Sequence, residues 1–272
     1  MGQVTSADGT RIVYLERGRG RPIVVAHGGS SDAGSWAQVA SRLAAHYRVL
    51  TPERRLYGKS GVPQSPHAVA REVEDFQAVI ATLGEPPLLV GHSSGAVVAL
   101  ETALTTKLLG LFLYEPPVAV DEPLGGEALV RAQQALARGR RAQAMGIHLR
   151  DIVEMPPAMV RLVTLLMRLC PWGAPAALRK VTPGQIMDDQ ALEDLGVGID
   201  RYAAIRVPTV LLTGATSPSH LRRRSAALAR VLPAVHRQIE LPDQGHVANL
   251  GAPGAVATAI EDFASALWPG PP

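Results

Sequence analysis

Ser93 lies in the stretch Gly91-His92-Ser93-Ser94-Gly95, between the apolar run PPLLV and the helical pattern AVVALETAL. A chain that passes from strand to helix with almost no connecting residues forces its central residue into a strained backbone conformation. Glycines on both sides leave room for so tight a turn. Such a turn projects the serine hydroxyl from the carboxyl end of the strand, where it can attack a carbonyl carbon. Ser93 is therefore the predicted nucleophile.

A serine hydroxyl is a weak nucleophile until a base takes its proton. Among the eight histidines, His246 is the best placed, because it follows the last predicted strand and precedes the last helical pattern. Loops that follow parallel strands meet at one rim of a sheet, the rim from which Ser93 emerges. His92, inside the turn, is expected to pack or to bond locally, and His27 to support its own loop.

A tetrahedral intermediate carries a negatively charged oxygen that needs preorganised donors. The apolar run PIVVA leads directly into His27-Gly28-Gly29-Ser30-Ser31, where glycines let the backbone approach a substrate. The residue after the nucleophile opens a helix, so its amide also points toward the reacting group. The predicted oxyanion hole is the pair of backbone amides of Gly29 and Ser94.

Short apolar runs bounded by glycine and proline indicate strands that are buried on both faces. Helical patterns lie between them, so the predicted fold is α/β, with a mostly parallel, doubly wound sheet. Residues 3–18 differ, because Asp8-Gly9 between two extended runs predicts an antiparallel hairpin at the edge of the sheet. The predicted buried strands lie at 22–29, 48–53, 86–93, 109–117, 207–214 and 236–242.

The alternation of strand and helix stops between residues 116 and 206, where only helical periodicity is found. Loops of that length without structure are rare in compact domains, so this segment is predicted to be a helical insertion. The core is then formed by residues 1–115 and 207–272. The helices predicted in the insertion are 126–141, 142–154, 157–170 and 182–195.

Taken together, the HGG loop, the GHSSG turn and the late GH pair resemble the α/β-hydrolase superfamily in kind and in order. The resemblance covers nearly the whole chain. It implies an α/β-hydrolase fold of about eight strands, with the insertion as a cap, or lid, after strand 6. The stretch 52–60 also resembles the family's D-x-R-G-x-G-x-S loop, with Glu53 in place of the aspartate and Leu56 in place of the first glycine.

The resemblance also implies a catalytic acid, usually in the loop after the seventh strand. That loop, residues 214–220, contains no carboxylate. Another branch of the superfamily, including many haloalkane dehalogenases, carries the acid directly after the sixth strand, and Glu115 occupies that position. Loops after either strand leave the same rim and can reach His246. Glu115 is the predicted acid, and Asp121 or a dyad without an acid are the alternatives.

The predicted function is that of a serine-dependent hydrolase, a carboxylesterase or lactonase, that cleaves an ester, thioester or lactone through an acyl-enzyme. The aliphatic stretches 155–170 and 186–195 predict a small to medium apolar substrate. The alternative is a lyase or cyclase in which His246 is the general base and Ser93 positions the substrate. A binding protein on the same scaffold is disfavoured by the complete serine, histidine and glycine-loop set. Dehalogenases and epoxide hydrolases need a carboxylate nucleophile, which Ser93 does not provide.

The composition limits the partners. The 272 residues carry 27 Lys+Arg and 24 Asp+Glu, a formal charge of +3 that is too small to predict nucleic-acid binding. The dispersed histidines predict no metal site, and the absence of a phosphate-binding or dinucleotide fingerprint predicts no cofactor. One cysteine, Cys170, and no leader or spanning pattern predict a cytoplasmic protein with no membrane partner. A small-molecule substrate is the expected partner, and the oligomeric state stays open.

Overall fold

The structure, a computed structural model, describes residues 1–61 and 63–268. Within these residues eight strands form one sheet, in the order β1-β2-β4-β3-β5-β6-β7-β8. The sheet is parallel from β4 to β8 and antiparallel where β1 pairs with β2 and β2 with β4. The strands are β1 (Gly2–Thr5), β2 (Arg11–Arg17), β3 (Pro22–Ala26), β4 (Arg48–Pro52), β5 (Leu88–His92), β6 (Gly110–Tyr114), β7 (Thr209–Gly214) and β8 (Val235–Leu241).

The predicted fold class is confirmed, including the hairpin at the edge of the sheet. In the turn of that hairpin Gly9 has a φ of 86°, and the carboxylate of Asp8 accepts a 3.0 Å hydrogen bond from the amide of Thr10. Every residue of β3, β5 and β6 is buried, which explains why these strands are continuous apolar runs and do not alternate.

Helices cover both faces of the sheet. Helices α2, α3 and α8 pack on one face, and α1 and α10 pack on the other. Within the described residues none of the helices is long and apolar enough to cross a membrane. The α-helices are α1 (Ala37–Leu43), α2 (Val69–Ile80), α3 (Ser94–Thr105), α4 (Gly126–Ala137), α5 (Arg141–Ile147), α6 (Pro157–Leu169), α7 (Gly173–Glu193), α8 (Ser219–Val231), α9 (Ala248–Gly251) and α10 (Pro253–Leu267).

The chain between β6 and β7 forms helices α4 to α7, with a π-helical turn at His148–Ile152 and a 3-10 turn at Asp200–Ala204. Helix α7 is longer than the predicted helix 182–195, because it begins at Gly173 and continues through Pro183. Proline removes one backbone hydrogen bond from a helix, and the sequence pattern therefore favours a start there. In the structure the Thr182 hydroxyl donates to the Leu178 carbonyl, and burial of residues 182–192 outweighs the loss.

Helix α7 packs on the core against α2 and α3, and the 3-10 turn at Asp200–Ala204 packs on α3 and α8. Helix α6 packs instead on α5 and α7, and only Val160 and Met167 of its side chains are fully buried. Of the two aliphatic stretches that predict an apolar substrate, 155–170 forms α6, whose side chains pack within the cap or face solvent. The other stretch, 186–195, lies largely in α7, the helix that packs on α2 and α3.

The turn between β5 and α3 requires glycine on both sides. A Cβ on Gly91 would lie within 3.0 Å of Ala96 and Ala99, and a Cβ on Gly95 would lie within 3.0 Å of the backbone of Ala26 and His27. Helix α3 thus begins in direct backbone contact with the end of β3. Contacts to backbone atoms cannot be relieved by a side-chain rotation.

Gly95→Ala should therefore lower the free energy of unfolding by about 3 kcal/mol, because the end of β3 or the start of α3 must move. Gly84→Ala is the matched control, because a Cβ there would meet nothing within 4 Å. Urea denaturation followed by circular dichroism measures both. Equal stabilities of the two variants would contradict the close backbone contact.

Candidate active site

Ser93 is held in a strained conformation between β5 and α3. Its φ is 53° and its ψ is −130°, values that a residue with a side chain rarely adopts. Its amide donates a 2.9 Å hydrogen bond to the Tyr114 carbonyl at the end of β6, and its carbonyl accepts one from the Ala96 amide. The backbone of the predicted nucleophile is thus fixed from both sides, while the residue stays partly exposed to solvent.

His246 contacts the carboxylate of Glu115, with 2.6 Å between Nδ1 and Oε2. The other carboxylate oxygen accepts a 2.8 Å hydrogen bond from the Gly214 amide, and the Glu115 side chain is fully buried. A carboxylate accepts hydrogen bonds, so Nδ1 of His246 carries the hydrogen and Nε2 is left as the basic nitrogen. Asp121, the alternative acid, is exposed and makes no hydrogen bond to His246 in the part of the chain that the structure describes.

The His246 ring lies beside the turn that carries Ser93, with its centroid 4.9 Å from that of the His92 ring. Among the described residues no hydrogen bond joins the Ser93 hydroxyl to His246. Hydrogen bonds between a nucleophile and its base are often long in free enzymes and shorten when substrate binds. The structure thus brings together the predicted nucleophile, base and acid in one place.

His92 and Tyr114 support the loop that carries His246. Nε2 of His92 donates a 2.8 Å hydrogen bond to the His246 carbonyl. The Tyr114 hydroxyl donates to the Gly245 carbonyl and accepts from the Ala248 amide. Burial, together with the neighbouring His246, holds the pKa of His92 well below its usual value, so its ring is neutral. The sequence predicted a local contact for His92, whereas the structure gives it a partner at the far end of the chain.

The two predicted oxyanion donors, the amides of Gly29 and Ser94, are without an acceptor in the described part of the chain. Within the described residues neither the Gly29 amide nor the Ser94 amide donates a hydrogen bond. His27 supports the glycine loop, because its Nδ1 donates to the Gly28 carbonyl and its Nε2 accepts from the Arg54 amide. Burial and the adjacent charge of Arg54 lower the pKa of His27 to about 3, which keeps this ring neutral.

Residues 23–259 match the family model described as "Alpha/beta hydrolase family". The chain belongs to the alpha/beta hydrolase family. An alpha/beta hydrolase from Sphaerobacter thermophilus DSM 20745 has a similar structure, with a TM-score of 0.84 and 31% identity over 96% of this chain and 99% of that chain. An enol-lactonase from Burkholderia xenovorans LB400 has a TM-score of 0.74 over 97% and 100% of the two chains, and its 19% identity shows a shared fold only.

Two curated relatives cover this alpha/beta hydrolase to different extents. Epoxide hydrolase A from Mycobacterium tuberculosis (strain ATCC 25618 / H37Rv) is 26% identical over 97% of both chains. A non-heme haloperoxidase from Rhodococcus erythropolis is 37% identical over 94 residues, so this chain matches only 34% of that relative's length.

The glycine loop of this alpha/beta hydrolase is in contact with the cap through Gln185 of α7. A Cβ on Gly29 would lie within 3.0 Å of the Gln185 side chain. The Gln185 carbonyl oxygen accepts hydrogen bonds from the hydroxyls of Ser30 and Tyr57, and its amide nitrogen donates to Asp189. A polar side chain from the cap therefore lies directly beside one of the two oxyanion donors.

Arg54 joins the cap to the core beneath the site. Its fully buried guanidinium donates to Glu72 of α2 at 2.6 and 2.7 Å and to Asp188 of α7 at 2.7 Å. A further hydrogen bond of 2.8 Å reaches the Ser94 hydroxyl at the start of α3. Burial alone would lower the pKa of Arg54, yet the charges of Asp188 and Glu72 raise it well above its usual value.

Three ligand-type side chains meet at this point. Atoms of His67, Glu72 and Asp188 lie within 4.8 Å of one another, a spacing that could suit a metal ion. The guanidinium of Arg54, however, already contacts both carboxylates and supplies the positive charge that a cation would bring. We therefore describe this cluster as an ion-pair network.

Sequence reasoning missed Arg54, Tyr57, Gln185 and Asp188. One signal was present, because the adjacent aspartates at 188 and 189 directly follow the apolar pair Ile186-Met187 in the predicted helix. Buried carboxylates need partners, so such a pair indicates a hidden polar network. The partner of Asp188 is Arg54, 134 positions away in the sequence. This pairing depends on how the cap packs on the core.

Asp188→Asn should lower the free energy of unfolding by about 3–5 kcal/mol, because it leaves the buried Arg54 charge short of a partner. Burial alone would raise the pKa of Asp188, but Arg54 and His67 lower it below its usual value. Its contribution to stability is therefore complete above a pH of about 4 and is lost as the pH falls further.

Urea denaturation of wild type and variant at pH 6 and at pH 3 measures both effects. The wild type should lose more stability on acidification than Asp188→Asn does. Asp262→Asn, an exposed position on α10, is the control and should match the wild type at both pH values. Parallel losses in wild type and Asp188→Asn would contradict the ion-pair assignment.

Proposed function

We propose that this alpha/beta hydrolase cleaves a carboxylic ester, thioester or lactone through an acyl-enzyme formed on Ser93. The observation that carries the proposal is the contact of 2.6 Å between Glu115 and Nδ1 of His246, beside the strained turn of Ser93. A buried carboxylate in that position sets the tautomer in which Nε2 of His246 can accept a proton. Membership of the family supports hydrolysis as the reaction class.

In the first half of the reaction the Ser93 oxygen attacks the carbonyl carbon while Nε2 of His246 takes its proton. Glu115 stabilises the imidazolium that forms, and the amides of Gly29 and Ser94 bind the oxyanion. His246 then gives its proton to the departing alcohol, thiol or ring oxygen. In the second half His246 deprotonates a water molecule, whose oxygen attacks the acyl carbon; the bond to the Ser93 oxygen then breaks, His246 returns the proton to that oxygen, and the carboxylic acid leaves.

Two features support a small to medium, largely apolar substrate. Val247 and Leu250, next to His246 in sequence, are exposed and offer apolar surface near the site. Gln185 lies against Gly29 and leaves limited room at the glycine loop. We expect an acyl group that fits beneath α7 with its chain directed toward the apolar residues.

Neighbours in fold carry related activities in their names, among them a thermophilic esterase from Thermogutta terrifontis and the enol-lactonase from Burkholderia. These names agree with cleavage of an ester or lactone. The epoxide hydrolase relative does not extend the proposal to epoxides, because that chemistry needs a carboxylate nucleophile and the corresponding residue here is Ser93.

Ser93→Ala should reduce turnover of p-nitrophenyl esters by several orders of magnitude and leave stability nearly unchanged. Intact-protein mass spectrometry after treatment with a fluorophosphonate should show one adduct on the wild type and none on the variant. Ser41→Ala, an exposed position on α1, is the control and should keep wild-type activity and the adduct. A Ser93→Ala enzyme with more than about a tenth of wild-type activity would favour a lyase or cyclase with His246 as general base.

Glu115→Gln should lower kcat by about a thousandfold or more. The amide oxygen can still accept from Gly214, which turns the amide nitrogen toward His246 and forces Nδ1 to become an acceptor. The proton then sits on Nε2, which can no longer take the serine proton. Steady-state kinetics with circular dichroism as a folding check tests this, and Glu240→Gln, exposed on β8, is the control. Retained activity in Glu115→Gln would contradict the acid assignment without affecting the nucleophile.

A further inference from the structure

The outer face of α6 carries apolar side chains that point into solvent. They recur at spacings of three and four, so they form one stripe along the helix. Trp172, just beyond the helix, is 75% exposed and Leu169 is 68% exposed. On soluble proteins, a contiguous patch of large exposed apolar side chains commonly marks a site of contact with another protein or a membrane. We call this the apolar stripe, and its members are Met159, Leu162, Leu165, Leu166, Leu169 and Trp172.

Next to the apolar stripe lies a groove of about 530 Å³ lined by four arginines. We call it the arginine groove, and its charged residues are Arg140, Arg141, Arg168 and Arg179. Among the described residues the side chains of Arg140, Arg141 and Arg168 form no ion pair and no hydrogen bond. Arg179 donates only to the backbone carbonyls of Met167 and Cys170. Arg168 also belongs to α6, so groove and stripe share one helix.

The segment from residue 155 to residue 187, which carries the apolar stripe and two arginines of the groove, has charges of one sign only. No aspartate or glutamate occurs from residue 155 to residue 187, whereas the same segment contains Arg161, Arg168, Arg179 and Lys180. Arg161 and Arg168 are two helical turns apart and therefore lie along one border of the stripe. Guanidinium groups without a carboxylate partner are well suited to bind phosphate, because their planar N–H pairs match its oxygens.

We propose that this face of the cap docks on a bilayer surface that contains anionic phospholipid. Leucine and tryptophan side chains beside arginines form the pattern of helices that lie in the membrane interface. The stripe would enter the boundary between headgroups and acyl chains, and the arginine groove would bind lipid phosphates. The sequence prediction of no membrane partner considered leader and spanning segments, and a surface-bound helix needs neither.

A second copy of the chain fits the face less well. A two-fold interface brings the same patch of each subunit together, so the arginines of one copy would face those of the other without an acid between them. An anionic surface instead attracts each of these charges. An anionic bilayer is therefore the partner that suits both the apolar stripe and the positive charge of the arginine groove.

Flotation with sonicated vesicles tests the proposal on the full chain. The wild type should bind vesicles of phosphatidylcholine mixed with phosphatidylglycerol at least roughly tenfold more strongly than pure phosphatidylcholine, and added salt should weaken the binding. Brominated lipid should quench the fluorescence of Trp172. Arg140→Gln/Arg168→Gln and Leu162→Ser/Trp172→Ser should each lose roughly tenfold or more in binding.

Two double variants serve as controls. Arg222→Gln/Arg230→Gln removes the same charge from α8, and Val130→Ser/Val197→Ser removes exposed apolar groups elsewhere. Both should bind like the wild type. All variants should hydrolyse a water-soluble ester at the wild-type rate, since none of these residues belongs to the site of Ser93, and this readout keeps the docking test separate from the proposed function.

Three results would overturn the proposal. The first is equal binding to anionic and neutral vesicles, or no binding to either. The second is that inorganic phosphate binds the arginine groove at millimolar concentration while vesicles do not bind. The groove would then be a site for a free anion. The third is a dimer in analytical ultracentrifugation that Leu162→Ser/Trp172→Ser dissociates, without vesicle binding by the wild type.

Discussion

The guanidinium of Arg54 is fully buried, and a charge removed from water needs partners on every side. Its partners come from four different parts of the chain: Glu72 on α2, Asp188 on the cap helix α7, Ser94 at the start of α3 and the carbonyl of His27. Three of them adjoin the candidate site, because Ser94 and the glycine loop carry the predicted oxyanion donors and α7 carries Gln185. One buried cation thus links the cap to the turn of the predicted nucleophile.

The predicted nucleophile and the predicted acid lie at the ends of neighbouring strands, and the backbone there is strained. Ser93 after β5 and Glu115 after β6 both have positive φ values, of 53° and 48°. Residues held in such conformations persist only where the surroundings fix them. Here the Ser93 amide bonds to the end of β6, and the Glu115 amide bonds to Leu212 of β7. The end of β6 therefore fixes the residue after β5, and β7 fixes the residue after β6, so both the predicted nucleophile and the predicted acid have their backbones held by a neighbouring strand.

Because the predicted acid follows β6, the loop after β7 does not have to supply a carboxylate. That loop instead supports the loop that carries His246. The amide of Thr216 in that loop donates to the Gln244 carbonyl, two residues before His246. Together with the side chains of His92 and Tyr114, this amide holds the His246 loop by hydrogen bonds to three successive backbone carbonyls, those of residues 244 to 246. These supports are neutral, because burial keeps the His92 ring uncharged. Within residues 1–61 and 63–268, the only charged group in contact with the His246 ring is then the carboxylate of Glu115.

The sequence by itself determined the strands, the turn at Ser93, the helical insertion and the edge hairpin, because apolar periodicity and turn chemistry are local properties. It also limited the candidates for the catalytic acid to Glu115, Asp121 or none. Only the structure distinguishes among these candidates, because it places the Glu115 carboxylate in contact with His246. The tertiary structure alone decided that α7 continues through Pro183, that Gln185 contacts Gly29 and that Arg54 pairs with Asp188. Pairing among buried polar groups depends on how separate elements pack, and residues 134 positions apart carry no local pattern that identifies them as partners.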